Sequence, residues 1–409
     1  MMAFPTARGF LLILMTVGTV GGALVNVGLA TALAASIFCS LLAASFLLAQ
    51  FSLYRIRIER RPNSDGFFGT EVALPLLVTN RTFLFRQPMV ITEKCEFAPG
   101  GVLHAAVPPL GPGESLLLNR TCIAEKRGCA RLLEVKVSGG DPAGLFRRTR
   151  KFRLPGEIQI YPGTVRLDSL QLQAESNPMP SFDGRPLGQS GHGQEFFGVR
   201  PYRPGDEIRF IHWKGSAGRQ QLMIREFEAN TVDQIVIILD TRKTLVGNDP
   251  RENNLEFLVS AAASLSEHLK EMYCRIHFFA ADGRSGERLH LSGDASVMHW
   301  RLMQTLMMLE PAEVPFADTL LEAVEQIPGG VLVYALSMEA DDASKGLLEL
   351  LLDNGCRVNW ILAPKGNFPP ILPDEPRIVY GDRSLRRFRG AVKPREVCFA
   401  NTLEEVLEK

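Results

Sequence analysis

No charged residue stands between Arg8 and Arg55, and this apolar stretch constrains the fold more than any other feature of the chain. A helix that spans a bilayer needs ~20 apolar residues, so the stretch is long enough for two spanning helices. Gly21-Gly22 and Asn26 mark the place where we expect a tight connection. A helical hairpin satisfies its backbone hydrogen bonds internally, as lipid requires. We therefore predict a transmembrane hairpin anchor over residues 1–54.

The charges on either side of this stretch predict its orientation. Arg8 precedes it, and four arginines follow it closely: Arg55, Arg57, Arg60 and Arg61. Because arginine-rich flanks stay in the cytoplasm, we expect both ends of the hairpin and the soluble domains there. A signal peptide cleaved near Thr31–Ala35 is the alternative interpretation. The apolar stretch continues well past that point, which favours the hairpin.

Charge and cysteine usage narrow the class of protein further. Lys plus Arg and Asp plus Glu balance at 45 each, so net charge does not indicate a nucleic-acid partner. The seven cysteines are scattered, without a C-x-x-C motif or paired metal-ligand spacing. We expect reduced thiols, which agrees with a cytoplasmic location.

Residues 55–162 contain short strand patterns bounded by Gly, Pro or Asn. The predicted strands include Val72–Thr79, Met89–Thr92, Val102–Val107, Ser115–Cys122 and Leu132–Val137. This spacing predicts a β-sandwich-like domain that serves as a spacer or interaction module. Residues 163–195 are rich in Gln, Ser, Asn, Pro and Gly, which indicates a linker.

Residues 232–409 alternate strand and helix patterns. The predicted strands are Ile235–Asp240, Arg275–Ala280, Val331–Leu336 and Arg357–Leu362, and the predicted helices are Asn254–Tyr273, Ala295–Leu309, Phe316–Gln326 and Ala343–Asn354. Such alternation predicts an α/β domain with a parallel sheet and helices on both faces. Ligands of these sheets bind outside the carboxyl ends of the strands, and Asp240 stands at that edge.

Residues 196–231 form a segment of unusually dense charge and aromatic content around the Pro204-Gly205 turn. Its candidate partner-binding residues are Arg200, Arg203, Asp206, Arg209, His212, Trp213 and Lys214. Long cations on a structured turn commonly pair with carboxylates of a partner. We expect Asp206 to pair with Arg203 or Arg209 and Trp213 to anchor the segment on the sheet. For His212 we favour a hydrogen bond within the turn over a role as proton carrier.

The pattern Tyr-Arg-Pro-Gly-Asp-x-Ile-Arg-x-Ile-His-Trp-Lys, followed by Arg-Glu-Phe-Glu and a strand ending in Leu-Asp, resembles the signature of the DUF58 proteins of bacteria and archaea. The resemblance extends to the two-helix anchor, to the element Asp141–Phe146 and to Tyr161-Pro162. It implies a C-terminal domain like von Willebrand factor type A and a location in the bacterial inner membrane. It also implies a MoxR-type AAA+ ATPase as partner, in envelope-related or protein-assembly processes.

The same resemblance implies where a metal ion would bind. Type A domains that hold Mg²⁺ use Asp-x-Ser-x-Ser plus a later Thr and Asp, and here Asp240, Thr244 and Thr319 match that set in part. Arg242 replaces the first hydroxyl, and Glu339 follows Ser337-Met338 where Asp would be usual. A guanidinium puts permanent positive charge where the cation would sit. We therefore expect no cofactor and an internal ion pair between Arg242 and Asp240, with weak Mg²⁺ binding as the alternative.

Catalytic motifs are missing from the sequence. It contains no Gly-x-Ser-x-Gly elbow, His-Glu-x-x-His helix or Walker loop. We therefore expect a membrane-anchored, non-enzymatic scaffold or adaptor. The alternative is a hydrolase or transferase at the cytoplasmic face that uses the basic segment to hold an anionic group.

Overall fold

The computed structural model begins with two apolar helices, continues with a sheet-rich region and ends with an α/β region that contains a mixed sheet. It describes residues 2–25, 29–167, 190–201, 211–217, 222–228, 233–249, 251–272, 274–369 and 394–408. The predicted linker at 163–195 lies mostly outside these residues.

The two N-terminal helices are α1 (Ala7–Val25) and α2 (Leu29–Phe51). Both are long and apolar enough to cross a membrane, and by length and composition they suggest membrane association. Gly21 and Gly22 lie inside α1, so the expected turn at these residues is wrong. Glycine costs a helix only ~1 kcal/mol, which the apolar neighbours easily offset. Asn26 lies outside the described residues.

The sheet-rich region comprises residues 56–161 together with a strand from the N-terminus. Its strands are β1 (Phe4–Pro5), β2 (Ile56–Arg60), β3 (Gly66–Phe67), β4 (Glu71–Ala73), β5 (Leu76–Asn80), β6 (Met89–Lys94), β7 (Val102–Val107), β8 (Ser115–Leu118), β9 (Thr121–Ile123), β10 (Gly128–Gly140) and β11 (Phe146–Tyr161). One sheet has the order β1-β11-β10-β6-β7, with β3 on β11, and smaller sheets contain β2-β5-β8 and β4-β9. The predicted strand Val72–Thr79 is divided because Pro75, between β4 and β5, lacks an N–H for the ladder.

Two of these sheets share one apolar core. Along β5, Leu76 and Val78 are fully buried, and they pack in one cluster with Ile91 of β6 and with Val135 and Val137 of β10. The alternation follows from the two-residue period of a strand, which sends every second side chain to the same face. The apolar pattern of the sequence thus positions the sheets against each other.

Strand β1 returns the N-terminus to the sheet-rich region. Phe4 pairs with Arg147 and Pro5 with Phe146, both in β11. Leu145 and Phe146 also join a cluster with Ala49 at the end of α2, and the rings of Phe46 and Phe146 meet edge to face at 5.6 Å. Both ends of the helical hairpin therefore emerge on the same side. The element Asp141–Phe146 is the turn that docks them.

The α/β region follows a short paired segment. That segment contains β12 (Ser190–Pro201), α3 (Trp213–Ala217) and β13 (Met223–Glu228). The strands of the α/β region are β14 (Asp233–Leu239), β15 (Cys274–Ala281), β16 (Arg288–Asp294), β17 (Leu332–Ser337), β18 (Arg357–Leu362) and β19 (Arg395–Glu396). Its helices are α4 (Asn254–Leu269), α5 (Ala295–Met308), α6 (Phe316–Gln326), α7 (Asp342–Asp353) and α8 (Leu403–Glu408).

The sheet of the α/β region has the order β16-β15-β14-β17-β18-β19. All neighbouring pairs are parallel except β15 with β16, so the expectation of a purely parallel sheet is wrong at this edge. Helices cover both faces, because Ile237 of β14 packs into one core with α4 and α5, whereas Ile238 packs into another with α6 and α7. β14 is thus a central strand. Its carboxyl end lies at the edge of the sheet where the sequence predicts a binding site, next to Asp240.

Arg127, just before β10, joins the sheet-rich and α/β regions. Its Nε donates to the carbonyl of Leu306 at 3.0 Å, and its Nη2 donates to that of Leu309 at 2.7 Å. These carbonyls lie at the C-terminal end of α5, where the helix dipole favours a cation. Arg127 also forms an ion pair with Glu256 of α4. The two regions therefore share a buried polar contact.

Candidate functional site

Asp240 directly follows the central strand β14, at the sheet edge that the sequence predicts. Its side chain is fully buried, and its backbone N–H donates to Leu336 of β17 at 2.8 Å. The N–H of Met338 donates to Oδ2 of Asp240 at 3.1 Å. A buried carboxylate at this position needs compensation for its charge.

Arg242 provides that compensation. Its Nε lies 3.1 Å from Oδ1 of Asp240, and its Nη2 lies 2.8 Å from Oδ2. Its Nη1 reaches Glu339 at 3.1 Å and Asp341 at 3.4 Å. The predicted internal ion pair of Arg242 with Asp240 is confirmed, and the guanidinium lies among three carboxylates.

The charges of this cluster do not balance. Burial acts to lower the pKa of Arg242, but the hydrogen bond and charge of Asp240, with the charges of Asp341 and Glu339, outweigh it and raise the pKa. The arginine therefore stays charged. The side chains of Glu339 and Asp341 are 45% and 33% exposed, so the rim of the site presents excess negative charge to solvent.

Backbone contacts hold Arg242 in place. Arg242 forms a parallel bridge with Ala312, and Lys243 donates its N–H to the carbonyl of Ala312 at 2.8 Å. The hydroxyl of Thr241 donates to the carbonyl of Ala281 at 2.7 Å. The loop after β14 is thus tied to two neighbouring segments, which limits the freedom of the arginine.

The ligand set implied by the family resemblance is not brought together. Thr244 is exposed in a 3₁₀ turn, and Thr319 is buried in α6. Among the residues that the structure describes, neither threonine hydrogen-bonds to Asp240. Within those same ranges no group of three His, Cys, Asp or Glu side chains is arranged to hold a metal ion. Arg242 is the nearest positive charge to Asp240 there.

The sequence analysis considered Glu339 only as a departure from the metal-ligand pattern and did not indicate Asp341, although a signal for a shared site was present. Both follow β17, whose carboxyl end meets the same sheet edge as that of β14. Asp341 is also the N-cap of α7, where its Oδ1 accepts from the N–H of Ser344 at 2.7 Å. Acidic residues after two adjacent parallel strands predict a shared site, a rule that we applied only to Asp240.

Ser266, His299 and Glu267 form a second polar set that the sequence did not indicate. The Oγ of Ser266 lies 3.0 Å from Nδ1 of His299, and Nε2 of His299 lies 3.0 Å from Oε2 of Glu267. Burial lowers the pKa of His299. Ser266 is fully buried on α4, so no substrate reaches its hydroxyl. The set borders a cleft of about 410 Å³ that Phe67 and Trp300 line.

The structure describes only part of the basic segment. Arg203, Asp206 and Arg209 lie outside the described residues, as does the predicted pairing of Asp206. Arg200 is in β12 opposite Ile224 of β13, and Lys214 is in α3.

Of the described residues in this segment, His212 lies in the turn and Trp213 begins α3. The N–H of His212 donates to the carbonyl of Met223 at 2.8 Å, and its own carbonyl accepts from Ser216 at 3.0 Å. Trp213 is 66% exposed, so the expectation that it anchors the segment is wrong. The buried apolar side chains of this segment are instead Ile211 and Met223.

Residues 198–330 match a family described as "Protein of unknown function DUF58". The DUF58 match includes Trp213, Asp240 and Arg242, whereas Glu339 and Asp341 of the edge site lie beyond it. The chain is also similar to "Uncharacterized protein YeaD" of Bacillus subtilis, with 32% identity over 114 residues. That similarity spans 28% of this chain and 28% of the length of the relative.

Two solved structures to which the chain is similar align with low scores. A β-glucosidase from Listeria innocua aligns with a TM-score of 0.18 and 11% identity, over 26% of this chain and 16% of its own. A β-glucosidase from Paenibacillus barengoltzii aligns with a TM-score of 0.15 and 13% identity, over 51% of this chain and 24% of its own. Scores this low carry no information on fold or activity.

Proposed function

We propose that this protein is a membrane-anchored, non-enzymatic adaptor whose α/β region, with a von Willebrand type A-like fold, binds a partner protein. The observation that carries the proposal is the ion pair of Arg242 with Asp240 at the carboxyl edge of the sheet. A fixed internal cation preserves the shape of an edge site without metal chemistry, which suits recognition better than turnover. The family resemblance suggests a MoxR-type AAA+ ATPase as partner, in envelope-related or protein-assembly processes.

The acidic rim and the exposed indole support a recognition role. Glu339 and Asp341 leave negative charge facing solvent, which favours a basic surface on the partner. Trp213 is 66% exposed on α3, and tryptophan is enriched among residues that dominate binding energy. Glu339 and Asp341 lie in the short loop between β17 and α7, where Asp341 caps the helix, so little ordering of this loop is needed on binding.

Strand β1 supports the membrane hairpin over a cleaved signal peptide. Phe4 and Pro5 are part of the same sheet as β11, and cleavage near Thr31–Ala35 would remove them from it. We therefore propose an inner-membrane protein with its soluble regions in the cytoplasm. A reporter fused after Arg61 should be active only if it works in the cytoplasm. Alkaline phosphatase activity from that fusion would contradict this topology.

The partner test uses the tagged full-length chain, extracted from membranes and compared with charge-neutral variants. Glu339→Gln and Asp341→Asn remove rim charge, and asparagine keeps the N-cap of α7. We expect both variants to melt like the wild type and to capture less ATPase, chiefly through slower association. Glu134→Gln, on a partly exposed position of β10 where it likewise removes one carboxylate from an ion pair, with Lys151, is the matched control. Equal capture by all variants would rule out this edge as the binding surface.

The enzymatic alternative has its own readout. Turnover of phosphate esters or acyl esters by the purified full-length chain, abolished by Arg200→Ala or Lys214→Ala, would favour a hydrolase or transferase that holds an anionic group. We expect no turnover from any of these proteins.

A further inference from the structure

The loop between β5 and β6 exposes three consecutive apolar side chains. Phe83 is 85% exposed, Leu84 is 55% exposed and Phe85 is 74% exposed. Burial of apolar side chains stabilises a fold, so leaving three large ones in water forgoes a considerable stabilisation. Contiguous exposed apolar surface of this kind marks an interaction site.

The loop is held in this exposed conformation by Asn80, a fully buried residue at its base. The Nδ2 of Asn80 donates to the carbonyls of Leu84 at 2.8 Å and Gly111 at 2.8 Å, and also to that of Leu110 at 3.2 Å. Its Oδ1 accepts from the N–H of Thr82 at 3.1 Å and from the hydroxyl at 2.7 Å. A buried amide with this many partners fixes the backbone. The hydrogen bonds of Asn80 thus hold the loop in a conformation in which its aromatic side chains face outward.

Both ends of the loop are tied to the point where α2 ends. Arg86 is buried, and its Nη1 and Nη2 donate to the carbonyls of Phe51 at 2.7 Å and Tyr54 at 3.1 Å. Arg81 donates its N–H to the carbonyl of Arg55 at 3.2 Å. The loop therefore lies beside the end of α2, where the apolar sequence of the hairpin gives way to charged residues.

The surroundings of the loop have the composition of a membrane interface. Phe51 and Tyr54 are exposed there, and the guanidinium of Arg55 lies 5.5 Å from the ring centre of Tyr54. Arg55 and Arg81 are both exposed. Aromatic rings and arginines concentrate where acyl chains meet headgroups, because the rings suit the boundary and the cations suit the phosphates.

We propose that the loop is a third membrane contact, in which Phe83, Leu84 and Phe85 insert into the boundary between headgroups and acyl chains of the bilayer that α1 and α2 span. Arg55 and Arg81 face the lipid phosphates. This inference rests on the membrane anchoring proposed above. Together with the hairpin, the loop holds the sheet-rich region against the bilayer in one orientation.

The test places a tryptophan on the loop of the full-length chain in nanodiscs whose phosphatidylcholine carries bromine on the acyl chains. Phe83→Trp is the probe, and Leu14→Trp, on a 66% exposed position of α1, is the positive control. Ile123→Trp, on a 55% exposed position, is the negative control. It lies near Glu125, which pairs with Arg251 of the α/β region at 2.8 Å. The wild-type signal corrects for Trp213, Trp300 and Trp360.

The negative control is distant because β10 is 13 residues long and runs from Arg127, at the α/β contact, to the turn beside the hairpin. At ~3.3 Å per residue this strand spans roughly 40 Å. Bromine on acyl chains should therefore quench Phe83→Trp and Leu14→Trp but not Ile123→Trp.

Each other outcome has a distinct meaning. Quenching of Leu14→Trp without quenching of Phe83→Trp would overturn the loop contact and leave the anchor intact. No quenching of Leu14→Trp would overturn the anchor itself. If Phe83→Trp is protected from aqueous iodide but not quenched by brominated lipid, a protein surface covers the loop, and the lipid assignment is wrong. All three substitutions are at exposed positions, so the fold should persist, as a melting curve checks.

Discussion

The guanidinium of Arg242 holds the buried carboxylate of Asp240 through Nε and Nη2, although only one residue separates the two in the chain. The N–H of Arg242 also donates to Oδ1 of Asp240 at 3.1 Å. The end of the central strand is thus neutralised by the residue two positions further on, and the charge balance of the edge depends on that one side chain.

Truncating the arginine should destabilise the α/β region strongly. Arg242→Ala leaves Asp240 buried and unpaired, and removal of one partner from a buried pair costs ~3–5 kcal/mol. Lys243→Ala, at the neighbouring exposed position, should stay within about 0.5 kcal/mol. Denaturant unfolding in detergent micelles measures both. A wild-type curve for Arg242→Ala would show that the carboxylate has another partner.

Magnesium should have little effect on the wild type, because the guanidinium already supplies positive charge beside Asp240. Arg242→Ser removes that charge and places a hydroxyl beside the carboxylates of Asp240, Glu339 and Asp341, so we expect this variant to gain a Mg²⁺-dependent rise in melting temperature. Binding at ~100 times the dissociation constant corresponds to ~2.7 kcal/mol. The gain should vanish in the double variant with Asp240→Ala. A saturable Mg²⁺ shift of the wild type that Asp240→Ala abolishes would contradict the prediction.

Trp213 should matter for binding and not for folding. Because its side chain is 66% exposed, Trp213→Ala should change the free energy of unfolding by no more than about 0.5 kcal/mol while it weakens partner capture. Ile211→Ala removes a buried side chain from the same segment and should cost ~2–5 kcal/mol. Thermal unfolding and pull-down distinguish the two. A large loss of stability for Trp213→Ala would contradict this prediction and show that the indole is part of the core.

Arg127 should couple the sheet-rich and α/β regions. Arg127→Ala removes two hydrogen bonds to carbonyls at the end of α5 and an ion pair with Glu256, a loss of ~1.5–3 kcal/mol. Calorimetry should then resolve two transitions where the wild type has one. Arg251→Ala, which removes a half-exposed pair with Glu125, should cost about 0–1 kcal/mol. A single unchanged transition in Arg127→Ala would show that other contacts carry the coupling.

Stability should fall as the pH drops below about 6.5, the value at which histidines of the unfolded chain bind protons. Burial lowers the pKa of both His277 and His299, so the folded chain takes up these protons only at lower pH. Above pH 7 neither form is protonated, and the two histidines add no pH dependence. His277→Gln and His299→Gln should flatten the slope of melting temperature between pH 7 and 5, and an unchanged slope in both variants would contradict this prediction.

Elements with a strong apolar period were predictable. The bounds of α6 and β18 agree with the sequence prediction. The buried positions of α6 recur at the helical period, and β18 ends in three consecutive buried residues. Strand β16 was missed because it lies at a sheet edge with alternate positions exposed, and its Leu289 and Leu291 give too short an apolar pattern. The prediction of a turn at Gly21-Gly22 was wrong because the apolar neighbours of these glycines override their weak helix propensity.

Local contacts of the site were also predictable, and distant ones were not. The pair of Asp240 and Arg242 is separated by one residue, so charge and position sufficed. Glu339 and Asp341 reach the same guanidinium from 97 and 99 residues away, and His299 meets Ser266 over 33 residues. Such long-range contacts depend on strand order and helix packing, which a single sequence does not reveal.

Strand β1 also bears on how the chain is made. The hydroxyl of Thr6 donates to the carbonyl of Gly144, which is 138 residues further along. A ribosome that adds ~5–20 residues per second needs on the order of ten seconds to synthesise that interval. During this time the first residues have no sheet to join, so both helices are synthesised well before the N-terminus is locked. Docking of the N-terminus is therefore a late event in biogenesis, timed by the emergence of β11.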